Sequence, residues 1–78
     1  MSEHAVYSRI VRELKNGTLK EPFAVSDFQN ACPGFGRGTY KAFLYKHSVG
    51  NAVGNTELFD KVAPGKFIAI KPYKYDLD

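Results

Sequence analysis

The sequence predicts a small α+β domain in which three short helices precede a β-hairpin. Three observations carry this. Val6, Ile10 and Leu14 recur at spacing four, as a helix with one buried face requires. Between Gly36 and Ser48 the same periodicity gathers Tyr40, Phe43, Leu44 and His47 on one side. Ala63-Pro64-Gly65 divides two apolar-rich segments as a tight turn divides paired strands.

The first helix, about residues 3–15, has Ser2 available as a cap; Tyr7 and Val11 flank its apolar row, and Ser8, Arg9, Arg12, Glu13 and Lys15 face away. Asn16-Gly17 offers a left-handed exit, and Pro22 prevents simple continuation. Thr18 to Glu21 reads as a polar connector, followed by a short extended piece near 23–25. Ser26-Asp27-Phe28-Gln29 fits a capping box, so a second helix is expected over about 27–32, with Phe28, Ala31 and Cys32 inward and Pro33-Gly34 ending it. Phe35 is expected to be buried in the joint, with Gly36 capping a third helix over about 37–48. Its other side carries Gly38, Lys41, Ala42, Tyr45 and Lys46, two of them almost without side chain.

Val-Gly-Asn occurs twice between Val49 and Asn55; Gly and Asn both tolerate positive φ, so this is a turn-rich connector, with a phosphate-binding nest as the sharper alternative. The hairpin is expected over about 56–62 and 66–71, with Pro64 and Gly65 at the centres of a type II turn. Pairing Val62 with Phe67 would put Phe59 beside Ile68 and Ile70, and Leu58, Val62, Phe67 and Ala69 on the opposite face. Neither face is then free of apolar residues, so the helices would cover one, and the tail around Tyr73 and Tyr75 or a second chain the other.

Composition narrows the function. A chain of 78 residues with 44% hydrophobic content holds one modest core and leaves little room for a catalytic cleft, so no enzyme is expected. Eleven Lys and Arg against eight Asp and Glu give a charge of +3, and the segment Arg37–Asp60 is locally basic. Cys32 is the single cysteine, which excludes a disulfide within the chain and a cysteine-based zinc site; a buried free thiol is expected. No apolar run approaches about 18 residues and no basic-then-apolar leader is present. The expectation is a cytoplasmic protein with no membrane partner, no cofactor and no metal.

The order helix, short extended piece, helix, turn, helix, hairpin resembles the winged helix-turn-helix family over roughly residues 2–71. The segment from Val25 to Tyr40 carries the likeness, as an extended apolar entry, a Ser-capped helix, a tight turn and the start of a further helix. The resemblance implies a DNA-binding module with transcription regulation as its setting, whose third helix enters the major groove while the hairpin lies along the backbone. Carried onto this chain, Arg37, Gly38, Thr39, Lys41, Tyr45 and Lys46 of the third helix, with Lys61 and Lys66 of the hairpin, would meet double-stranded DNA. Arg37 matches the O6 and N7 acceptors of guanine, and the lysines suit phosphates. The third helix is poorer in Arg, Asn, Gln and Ser than many recognition helices, and the hairpin tip is short. The rival is a winged helix used as a protein-interaction or dimerisation surface through the hairpin, Tyr73 and Tyr75. His4 and His47 are far apart in sequence, and His47 falls on the apolar side, where a hydrogen-bonded core histidine is expected rather than a base or ligand. The glycines from Gly34 to Gly38 lack phosphate-loop spacing.

Overall fold

The computed structural model of the chain describes residues 3–50, 54 and 56–73. Helices α1 (Glu3–Asn16), α2 (Val25–Ala31) and α3 (Arg37–Lys46) are followed by strands β1 (Phe59–Ala63) and β2 (Lys66–Ala69). This is the expected α+β order, in a winged-helix-like layout. The Ser2 cap, Tyr75 and most of the Val-Gly-Asn connector lie outside the described residues, although Gly50 (φ +86°) and Gly54 (φ +75°) adopt the positive φ foreseen there.

In α1, Val6, Tyr7, Ile10 and Val11 are buried, and Gly17 takes the left-handed exit. Glu13 departs from its expected solvent-facing place and is only 7% exposed. Burial of the carboxylate is tolerated because Arg9 Nε donates to Glu13 Oε2 at 2.8 Å and Arg12 Nε lies 3.6 Å from it. The Arg9 hydrogen bond holds the Glu13 carboxyl below its ordinary pKa, against the opposing push of burial. The connector that follows is less polar in its role than in its composition, since Leu19 enters the core.

The start of α2 and the preceding extended piece differ from expectation for one reason. Phe23 is held to β2 by reciprocal backbone hydrogen bonds with Phe67, both 2.8 Å long, so the extended stretch contracts to a single bridged residue. The chain turns helical immediately afterwards, two residues earlier than expected. Ala24, not Ser26, is the N-cap, and Asp27 Oδ2 accepts from the Ala24 N–H at 2.8 Å. Gln29, no longer needed for capping, is exposed. Cys32 closes the helix with its thiol buried and free, and burial raises the thiol pKa to about 11.

The turn into α3 is fastened by Tyr40. Its hydroxyl donates to the Cys32 carbonyl at 2.7 Å and accepts from the Phe35 N–H at 3.2 Å. Phe35 is half-buried rather than buried, edge-on to Tyr40 at 6.1 Å. Gly36 is the N-cap as expected, but α3 ends at Lys46 because His47 leaves helical geometry as the C-cap. The imidazole is fully buried, and Nδ1–H donates to the Thr56 carbonyl at 2.7 Å. Ser48 then bridges to Phe59, which draws β1 against the end of α3.

The hairpin is shorter than expected and its register differs. Gly65 has φ +71°, as the second centre of a type II turn requires. Ala63 pairs with Lys66, but Lys61 then pairs with Phe67, Asp60 with Ile68 and Phe59 with Ala69, leaving Val62 as an extra, bulged residue. The slip transfers Phe59 to the face of Phe67 and Ala69. A type II turn does not match the right-handed twist of paired strands, and a bulge beside it restores that twist. Packing supplies the larger reason. The Phe59 ring lies 6.2 Å from Tyr7, 6.1 Å from Phe23 and 5.9 Å from Phe43, so it is the ring on which α1, the bridge and α3 converge. One face of the hairpin is consequently core, with Phe59, Phe67 and Ala69 buried, while the other carries the exposed Asp60 and Lys66 beside the half-buried Ile68. Glu21 ties the hairpin to the connector: Oε2 accepts from the Ala69 N–H at 2.6 Å and Oε1 from Lys71 Nζ at 2.7 Å.

Candidate nucleic-acid interface

Helix α3 divides as its sequence predicts. Tyr40, Phe43, Leu44 and His47 are buried, and the opposite surface consists of two adjacent rows one turn apart at each step. One row is Arg37, Lys41 and Tyr45; the other is Gly38, Ala42 and Lys46. Arg37, Gly38, Lys41, Ala42 and Lys46 are exposed, and a Cβ at Gly38 would meet nothing within 4 Å. Thr39 is half-buried at the helix start, its Oγ1 3.5 Å from where a Cβ on the exposed Gly36 would stand.

Tyr45 connects this surface to the hairpin. Its half-buried ring meets Phe67 edge-on at 5.3 Å, while Lys61 Nζ lies 5.5 Å from the ring centroid. The register explains the meeting: Lys61 pairs with Phe67, so its side chain leaves β1 on the face turned toward α3. A continuous row of Arg37, Lys41, Tyr45 and Lys61 therefore runs from the start of α3 onto β1. Among the described residues, no ion pair involves Arg37, Lys41, Lys61 or Lys66.

Lys66 is not part of this row. It alternates with the buried Phe67 and so shares the outer face of the hairpin with Ile68. Sequence reasoning also passed over Gln29 and Asn30, which line a shallow groove with Arg37, Phe35 and Tyr40 at the turn between α2 and α3. The capping role assigned to Gln29 concealed it; exposed amides flanking a Pro-Gly turn were the available signal.

Among the described residues, no group of three or more His, Cys, Asp or Glu could hold a metal, and no helix is long and apolar enough to cross a membrane. No protein-family model matches the chain, and neither a curated protein nor a solved structure matches it significantly.

Proposed function

We propose that this chain is a non-catalytic module that binds double-stranded DNA, with α3 in the major groove and the hairpin along the backbone. The observation that carries the reading is the row Arg37, Lys41, Tyr45 and Lys61, in which three exposed cations, none in an ion pair among the described residues, flank a half-buried tyrosine and span the helix and the hairpin. From Arg37 to Tyr45 the row extends about 12 Å at 1.5 Å per residue, which is close to the width of the major groove. Arg37 approaches base edges, whereas Lys41, Lys46 and Lys61 meet phosphates. Lys66, at the tip and on the outer face, contributes least.

Titrating a labelled duplex with the chain at several salt concentrations tests this. With about three phosphates neutralised, the logarithm of the affinity should fall against log salt with a slope of about −3. Combining Arg37→Ala with Lys41→Ala should weaken binding several-fold and reduce the slope by about 1, the share of the Lys41 phosphate contact. Failure of excess duplex to shift any amide resonance of α3 would sink the reading.

A second reading, a protein-docking or dimerisation surface on the hairpin, draws on the exposure of Val62, which is 49% accessible. Tyr73 supports it less, being packed against the core and within cation–π distance of Lys15 and Lys71. Sedimentation at several concentrations separates the two: association that grows with concentration and ignores duplex favours docking.

A further inference from the structure

The outward positions of α3 limit what such a surface can read, and this argument rests on the duplex-binding proposal above. Discrimination among base pairs in the major groove comes from bidentate Arg, Asn or Gln contacts, from Glu or Asp on cytosine, and from hydroxyls. The two outward rows of α3 contain Arg37, Lys41, Tyr45, Gly38, Ala42 and Lys46. Gly38 and Ala42 present no hydrogen-bonding side chain, and the half-buried Tyr45 packs its ring on Phe67 with Lys61 beside it, a turn or more beyond Arg37. Thr39, at the helix start, is half-buried and on neither outward row. Gln29 and Asn30, the amides that share the turn groove with Arg37, stand on α2 and not on α3. Lysines serve phosphates as point charges without choosing a sequence.

We infer that the ligand class is duplex DNA of nearly any sequence, held through its backbone, with Arg37 as the single residue that discriminates among base pairs. The small side chains at Gly38 and Ala42 fit this role, since they let the helix backbone come close to the groove wall without imposing a base preference. A single good bidentate contact allows a spread of about 5- to 150-fold across sequences, which is 1–3 kcal/mol at 1.4 kcal/mol per decade. Sequence-specific recognition typically reaches about 10³- to 10⁷-fold over non-specific binding.

The test is a set of short labelled duplexes of unrelated sequence and differing base composition, together with the tightest binder selected from a randomised duplex pool, titrated by anisotropy at one fixed salt concentration. The expected result is a total spread within about 150-fold, which Arg37→Ala narrows to within about threefold while Lys41→Ala weakens every duplex by a similar factor. Two results overturn the inference and leave duplex binding intact: a selected duplex bound about 10³-fold tighter than the rest, or an affinity ranking unchanged by Arg37→Ala. Absence of binding to every duplex removes the parent reading and this one together.

Discussion

Tyr40 performs two tasks with one side chain. Its ring fills the core 4.9 Å from Phe28, and its hydroxyl closes the turn that sets α3 against α2. The ring was legible from helical spacing alone, because period 3.6 is a local property of the sequence. The hydroxyl's partners were not, since they exist only once the turn at Gly34, with φ +106°, carries the Cys32 carbonyl and the Phe35 N–H to the same point. Tyr40→Phe keeps the packing and removes both hydrogen bonds, so the loss of stability should be about 1–2 kcal/mol, read from urea denaturation. Exchange at the Phe35 amide should accelerate more than at Phe28, whose amide bonds to Ala24 within the α2 cap. A loss below a few tenths of a kcal/mol would mean that the hydroxyl does not fasten the turn. Glu13 teaches a related lesson: its charge argued for solvent, and the two arginines that permit its burial stand on the same helix.

At the scale of elements, the existence and kind of each helix and strand could be read from the sequence, whereas their starts and pairings depended on distant residues. The Ser-Asp pair at the head of α2 suits two caps, one made by the Ser26 oxygen and one by the Asp27 carboxylate reaching back. The bridge between Phe23 and Phe67 decides between them by fixing where extended chain must end. The Pro-Gly turn of the hairpin was likewise readable, but the bulge at Val62 answers to the three rings that converge on Phe59. Two substitutions measure this directly. Val62→Thr, at an exposed bulge, should change stability by no more than about 0.5 kcal/mol, while Phe67→Ala, in the core, should cost about 3–5 kcal/mol. Had Val62 faced the core opposite Phe67, burying the threonine hydroxyl would cost more than about 1 kcal/mol. The same bulge brings Lys61 to Tyr45, so the register slip also determines which hairpin lysine joins the α3 row. That consequence could not be read from spacing.

The largest fully buried side chains, Tyr7, Phe23, Phe28, Phe59 and Phe67, come from α1, the connector, α2, β1 and β2 respectively. A domain of this size buries only about 60% of the surface of its unfolded chain, so its stability rests on this shared aromatic core and leaves little in reserve. Of the outer rows of α3, only Tyr45 packs against that core; Arg37, Gly38, Lys41, Ala42 and Lys46 are exposed. Binding and folding are therefore separable: Arg37→Ala with Lys41→Ala should leave the melting temperature of the free chain nearly unchanged, because both side chains are exposed and neither is in an ion pair among the described residues. They remain linked through mass action, since a duplex that binds only the folded chain stabilises it. At a free duplex concentration about 100 times the dissociation constant, the gain is about 2.7 kcal/mol, and at about 4–8 °C per kcal/mol this raises the melting temperature by about 10–20 °C. Calorimetry at low salt should show that rise for the native sequence and only a small part of it for the double variant at the same duplex concentration. Raising salt from about 50 to 200 mM should suppress it, because the affinity is carried by phosphate contacts. An equal rise in the native chain and the double variant would place the binding surface somewhere other than α3, and a rise unaffected by salt would contradict a backbone-held duplex.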